Sequence, residues 1–137
     1  MQPDKLTAIG ETEIDRVVRD FYRRVQADEL LGPIFNNAIG DWDHHLGKLV
    51  DFWCSAMLSS GRYKGNPLAA HLPQATHMTP AAFNRWLQLW GETTDALLGA
   101  TAAVALQEKA ARIAESLGLG IAFHRNRGLP GGAADAA

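Results

Sequence analysis

Apolar residues recur every three or four positions in four long stretches of the chain, which is the spacing of amphipathic helices. These stretches cover about residues 11–27, 41–58, 80–98 and 101–123. In the first of them, one face consists of apolar and aromatic side chains: Ile14, Val17, Val18, Phe21, Tyr22 and Val25. No stretch alternates between apolar and polar residues as a half-buried strand does, so the pattern predicts an all-α fold.

Glycine and proline predict a break after the first long helix. Gly32-Pro33 is expected to interrupt a short turn of helix, because proline disfavours helical geometry in the residue before it. Ile34 and Phe35 are then expected to lie in a loop.

A very short helix is predicted between Asn66, which suits an N-cap, and His71 at its C-terminal end. Pro67 suits the first helical position, whereas Pro73 is expected to bias Leu72 away from helix. The last carbonyl groups of a helix lack partners, and one of them can accept the ring N–H of His71. That bond would make the other ring nitrogen a better metal ligand. From the spacing alone, a surface or loop histidine is an equal alternative.

The chain has 137 residues, which is the size of one domain. We predict a single domain over residues 1–124 and a disordered tail over residues 125–137. The net charge of −2 gives no electrostatic case for binding nucleic acid or an anionic membrane. No apolar run approaches the ~20 residues of a membrane span, and the N-terminus lacks the blocks of a secretory signal, so a cytoplasmic location is expected by default.

Polar side chains fall on core-facing positions of three different predicted helices. They are Tyr22, His45 and Trp86, and each needs a hydrogen-bond partner when it is buried. Their placement favours a polar pocket inside an apolar shell, the usual form of a ligand site. A four-helix bundle with a closed core is the alternative.

The histidines and the single cysteine limit the possible metal sites. The Glu-x-x-His and His-Glu-x-x-His motifs of di-iron and zinc enzymes are absent from the sequence. Cys54 alone makes a structural zinc site improbable and cannot form the Cys-x-x-Cys-His attachment of a c-type haem. Haem needs only one neutral imidazole from the protein, so a non-covalently held haem is compatible with the sequence.

Several segments together resemble the truncated haemoglobins, and specifically the third group of that family. The resemblance covers about residues 10–123, and its specificity lies in the order and spacing of the segments. They are Phe21-Tyr22, residues 32–37 (GPIFNN), His45 with Phe52-Trp53, residues 63–71 (YKGNPLAAH), and Phe83 with Trp86-Leu87.

The resemblance implies a truncated globin fold, a two-on-two helical sandwich that encloses non-covalent haem b. It assigns His71 as the proximal iron ligand and Phe35 as the aromatic residue that packs on the porphyrin. Lys48 is a weaker candidate to bind a haem propionate.

The resemblance also places Tyr22, His45 and Trp86 on the distal side of the haem, where a gas would bind. Because His44 adjoins His45, the distal assignment can slip by one residue, although the helical face shared with Leu49 favours His45.

Three further residues have competing interpretations. Arg62 and Tyr63 are the weakest candidates for the propionate, and exposed loop residues are the better interpretation of both. His77 competes with His71 as the iron ligand, but the short capped helix favours His71 and leaves His77 in a loop.

The expected function is the binding or sensing of oxygen, carbon monoxide, nitric oxide or another small haem ligand. An alternative is an enzyme that cleaves peroxide or detoxifies nitric oxide with electrons from an external reductase, since a polar pocket stabilises developing negative charge. A haem-free helical interaction domain is the third possibility.

Overall fold

The computed structural model describes the backbone of residues 9–128 and the side chains of residues 9–124. The elements of this part of the chain are six α-helices and one 3₁₀ helix, which confirms the all-α prediction. In chain order they are α1 (Glu11–Ala27), α2 (Leu31–Ala38), α3 (Trp42–Leu58), α4 (Pro67–His71), the 3₁₀ helix (Leu72–His77), α5 (Pro80–Leu97) and α6 (Ala100–Gly128).

Helix α1 is the centre of the fold. Its six predicted core residues are all buried, and the helix packs against α2, α3 and α5. At its start, the backbone N–H of Gly10 donates to Oε1 of Glu13 at 2.9 Å, which satisfies one of the donors that a helix N-terminus leaves unpaired. The apolar periodicity of the sequence therefore identifies the buried face of α1 correctly.

Helices α5 and α6 pack against each other and complete the core. Trp90 on α5 is buried, and its indole N–H donates to the backbone carbonyl of Leu106 on α6 at 3.1 Å. Thr93 and Thr94 are also buried, and their hydroxyls donate to the carbonyls of Leu89 and Trp90. Every one of these buried polar groups is therefore paired, as a stable core requires.

Helix α2 corrects one prediction, because Phe35 lies on a helix rather than in a loop. Pro33 occupies the first turn of α2, where the missing N–H would have had no helical partner. The carboxylate of Asp28 accepts from the backbone N–H groups of Leu30 and Leu31 at 3.1 and 2.9 Å and so supports the helix start. Gly32 is required there, since a Cβ would lie 2.7 Å from the carbonyl oxygen of Gln26.

A second correction concerns the segment after His71. Leu72 has helical backbone angles, and the chain continues directly into the 3₁₀ helix that ends at His77. Pro73 lies in the first turn of this new helix, where proline is tolerated, so it begins an element instead of ending the structure. His77 is therefore a 3₁₀-helix residue and not a loop residue.

The C-terminal helix is longer than predicted. Its backbone continues to Gly128 and so includes residues 125–128 of the segment predicted to be a disordered tail. The rest of that segment, residues 129–137, lies outside the described residues. Within the described part, no helix is both long enough and apolar enough to cross a membrane.

Candidate functional site

His71 is held at the C-terminal end of α4 by a bond to its own helix. Its Nδ1 lies 2.6 Å from the carbonyl oxygen of Pro67, and a carbonyl only accepts, so Nδ1 carries the proton. The lone pair of the neutral ring is then on Nε2, and Nε2 has no hydrogen-bond partner among the described residues. The arrangement fixes both the tautomer and the orientation of the ring, which is how histidine metal ligands are prepared.

Two contacts that do not involve His71 fix the position of α4. Oδ1 of Asn66 accepts from the backbone N–H of Ala69 at 3.1 Å, as the predicted N-cap should. On the other side, Leu68 packs against α6 so closely that a Cβ on Gly120 would lie 3.0 Å from Leu68 Cδ1. Glycine at position 120 thus gives α4 room to approach α6.

Tyr22 is a buried hydrogen-bond donor without an acceptor. It is 4% exposed, and burial raises its pKa to about 12, while a hydrogen bond from Trp86 acts in the opposite direction. The indole of Trp86 has a donor and no acceptor, so it donates to the Tyr22 oxygen. Among the described residues, nothing accepts the proton of the Tyr22 hydroxyl, which remains protonated at neutral pH and available to a ligand.

His45 is half-buried on α3. Its pKa is lowered by burial first and then by electrostatic interactions with Lys48, His71 and His44. The His71 contribution shows that the two imidazoles are within electrostatic reach of each other. At neutral pH His45 is neutral, so it can donate from one ring nitrogen and accept at the other.

The aromatic rings of Phe35 and Trp42 pack beside Tyr22. Their ring centroids lie 5.9 and 6.1 Å from that of Tyr22, and the Trp42 ring meets His45 edge-on at 6.2 Å. The indole N–H of Trp42 donates to Oδ1 of Asn36 at 3.2 Å. Sequence reasoning missed Trp42, although its place three residues before His45 on one helix face was a usable signal.

The helices around these residues carry apolar side chains that are only half-buried. Those packed at the edge of the core are Phe35, Trp42, Leu49, Phe52, Trp86 and Leu87. On α3, by contrast, Trp53 and Cys54 are fully buried. Helix α3 therefore has one complete core face and one apolar face that is incompletely covered.

The family model for bacterial-like globins matches residues 6–117 of the chain. The group 3 truncated hemoglobin ctb of Campylobacter jejuni is 38% identical over 93 residues, which are 65% of this chain and 72% of that protein. The crystal structure of the group III truncated hemoglobin from Campylobacter jejuni matches with a TM-score of 0.74 and 32% identity, covering 82% of this chain and 91% of that one. The chain belongs to the group III truncated haemoglobins.

This membership makes the chain a haem-binding globin, and the residues of this truncated haemoglobin fit the cofactor. His71 offers an unpaired Nε2 of fixed tautomer, and the neighbouring apolar side chains offer a half-covered surface for a flat apolar ring system. The buried phenol of Tyr22, whose proton has no acceptor among residues 9–124, adds a hydrogen-bond donor to this region.

The two weaker candidates for binding a haem propionate, Lys48 and Arg62, have different surroundings. Lys48 is exposed, has no ion-pair partner among the described residues, and lies near enough to His45 to lower its pKa. Arg62 is bonded to Glu11 at 2.8 Å and to Asp51 at 3.1 Å, so its guanidinium already has two carboxylate partners. Lys48 is therefore the better placed of the two to reach an added carboxylate.

Tyr63 and the remaining histidines lie at the edge of this region or outside it. Tyr63 is half-buried, with its ring 5.2 Å from that of Phe52. His44 and His77 are exposed, whereas His45 and His71 are half-buried. The difference in exposure favours His45 over its neighbour and His71 over its competitor.

Proposed function

We propose that this truncated haemoglobin binds oxygen and other small diatomic ligands, including carbon monoxide and nitric oxide, at a haem b held without covalent attachment. His71 is the iron ligand, Phe35 packs on the porphyrin, and Lys48 binds a propionate. The observation that carries the proposal is the His71 ring, with Nδ1 bonded to Pro67 and Nε2 open. When bound, the haem would supply an iron at which a small diatomic ligand can bind.

The polar residues opposite His71 act on the ligand. Tyr22 donates its hydroxyl proton, and the hydrogen bond from Trp86 to the Tyr22 oxygen holds the phenol in place. His45 is neutral at physiological pH and supplies a second donor. An incoming ligand that gains partial negative charge is stabilised by both groups.

These bonds slow the release of the ligand. A hydrogen bond contributes about 0.5–1.5 kcal/mol net, so two contribute about 1–3 kcal/mol. At ~1.4 kcal/mol per factor of ten, the release of oxygen is slowed roughly tenfold to a hundredfold.

Stopped-flow measurement of oxygen release tests the role of Tyr22. We expect Tyr22→Phe to release oxygen roughly fivefold faster than the wild type, because one donor worth about 1 kcal/mol is lost. Tyr63→Phe is the matched control, since the chain has only two tyrosines and Tyr63 lies in the loop that precedes α4. Equal release rates in wild type and Tyr22→Phe would refute the donor role.

A further inference from the structure

Three indole rings stack through the core of the molecule from the candidate site towards the loop before α4. Trp86 and Trp90 are 6.3 Å apart between centroids with planes at 5°, and Trp90 and Trp53 are 4.4 Å apart at 16°. We propose that this indole stack, Trp86–Trp90–Trp53, carries single oxidising equivalents from the haem site to Tyr63. The inference rests on the proposed haem site, and Tyr63 is the residue at which the oxidation ends.

The entry to the stack is Trp86, because this indole borders the candidate site directly. It is half-buried, and both it and Tyr22, the donor assigned to the ligand, pack against the ring of Phe21, with centroids at 5.8 and 4.6 Å. Indoles and phenols are the side chains most readily oxidised by one electron after thiols. The Tyr22 phenol also faces the ligand, but it has no acceptor for its proton among the described residues, so the electron is drawn from Trp86, whose indole can be oxidised without losing a proton.

Trp90 is suited to pass the charge on rather than to keep it. It is 1% exposed, and its indole N–H donates to the carbonyl of Leu106 at 3.1 Å. A backbone carbonyl is not a base that can take up the proton, so oxidised Trp90 stays a cation in an apolar core. A buried unpaired charge is costly on Trp90 and equally on Trp53, so the oxidation comes to rest only at Tyr63, whose phenol can lose its proton to water.

From Trp53, the path of the oxidation to Tyr63 passes the ring of Phe52. The Phe52 ring lies 5.7 Å from Trp53 and 5.2 Å from Tyr63, and both contacts are edge-to-face. Packed aromatic rings thus fill the whole interval, with no solvent layer between the buried indole and the phenol.

Three hydrogen bonds hold the loop that carries Tyr63. The backbone N–H of Tyr63 donates to Oγ of Ser55 at 3.0 Å, and Arg62 bonds to Glu11 and Asp51. Gly65 leaves room for the phenol, since a Cβ there would lie 2.6 Å from the Tyr63 hydroxyl. The neighbouring residues 61–62 and 64–66 are exposed, so water is at hand to accept the phenolic proton.

Peroxide is the oxidant that balances the reaction. Cleavage of its O–O bond to two waters takes up two electrons and two protons. Each Tyr63 phenol supplies one electron through the stack and releases one proton to water, leaving a phenoxyl radical. Two such radicals from two molecules form a carbon–carbon bond, so one peroxide and two Tyr63 side chains give two waters and one dityrosine.

Treatment of the haem-loaded full chain with hydrogen peroxide tests the inference by a covalent product. The only other tyrosine, Tyr22, is 4% exposed, so dityrosine-linked dimers report on Tyr63. We expect the wild type to form such dimers, Tyr63→Phe to form none, and Trp90→Phe to form several-fold fewer. The haem-free chain under the same peroxide treatment is the control, and it should form no such dimers, because the inference places the start of the oxidation at the haem site.

Peptide mapping and a carbon monoxide spectrum distinguish the possible failures. Undiminished dimers in Trp90→Phe would show that Tyr63 is oxidised without the stack and would overturn the inference. Oxidation at Cys54 in place of Tyr63 would overturn the assigned exit. If the wild type binds carbon monoxide normally but forms no dimers, the stack fails while the proposed function stands. If it binds no haem, the proposed function fails first.

Discussion

The two faces of helix α3 differ in how completely the protein covers them. On the core face, Trp53 is 1% exposed and stacks on Trp90, and the buried polar groups nearby are paired. On the other face, Phe52 and His45 are half-buried. The difference shows that the core face is completed by the chain itself, whereas the second face is the one to which the proposed function assigns the haem.

The largest effect is expected from a pair of phenylalanines, Phe21 in the core and Phe35 at the candidate site. Phe21 is 0% exposed, and Phe21→Ala should cost about 3–5 kcal/mol of unfolding free energy, as buried aromatic truncations do. Phe35 is half-buried, so Phe35→Ala should cost much less in the haem-free protein but should weaken haem retention. Urea unfolding followed by circular dichroism, together with haem titration, separates the two effects.

Two outcomes would contradict this difference between the core and the candidate site. Equal losses of stability in the two haem-free variants would show that Phe35 belongs to the core. A haem-free wild type without a cooperative urea transition would show that the core does not fold without its cofactor.

An intermediate effect is expected at the ion pair that joins the connection between α1 and α2 to α5. The Asp28 side chain is 6% exposed and lies 2.7 Å from the Arg85 guanidinium. Burial opposes its ionisation, but the hydrogen bonds from Arg85, Leu31 and Leu30 and the charge of Arg85 outweigh that opposition and lower its pKa. Removing a charged hydrogen-bond partner costs about 1.5–3 kcal/mol, which we expect for Asp28→Asn.

The lowered pKa of Asp28 fixes the sign of its pH dependence. The folded chain holds this carboxylate ionised at a pH where the unfolded chain has bound a proton, so its contribution is full at neutral pH and is lost in acid. The loss of stability on acidification should therefore be smaller in Asp28→Asn than in the wild type. Asp15→Asn is the control, because the Asp15–Arg19 pair is exposed and contributes about 0–1 kcal/mol.

The smallest effect is expected from Tyr22 in alkali. Its pKa of about 12 exceeds the usual 10, so the unfolded chain releases this proton first as the pH rises. The unfolding free energy should fall between pH 10 and 12 by up to about 2.7 kcal/mol, at 1.36 kcal/mol per pKa unit. Tyr22→Phe should lack this part of the alkaline loss and Tyr63→Phe should keep it; identical alkaline profiles would refute the burial of the Tyr22 phenol.

The sequence was most informative where periodicity or capping decides the structure. The buried face of α1 and the capped helix that ends at His71 followed from apolar spacing and from Asn66-Pro67. The helical state of Phe35 did not, because it depends on the Asp28 carboxylate and on the tolerance of the first turn for Pro33. Local rules about proline are overridden when a neighbouring side chain satisfies the helix start.

Contacts between residues that are far apart in the chain could not be predicted from the sequence. The hydrogen bond from Trp86 to Tyr22 and the stacking of Trp53 on Trp90 depend on how the helices cross, and no local pattern specifies that crossing. The same holds for Arg62, whose two carboxylate partners lie 51 and 11 residues away in the chain.

The absorption spectrum of the ferrous protein with carbon monoxide, recorded for His71→Gly and His77→Gly, tests the iron ligand most directly. If His71 holds the iron, His71→Gly will lose the haem or show an altered spectrum that added imidazole restores, and His77→Gly will match the wild type. A normal spectrum and full haem retention in His71→Gly would contradict the assignment.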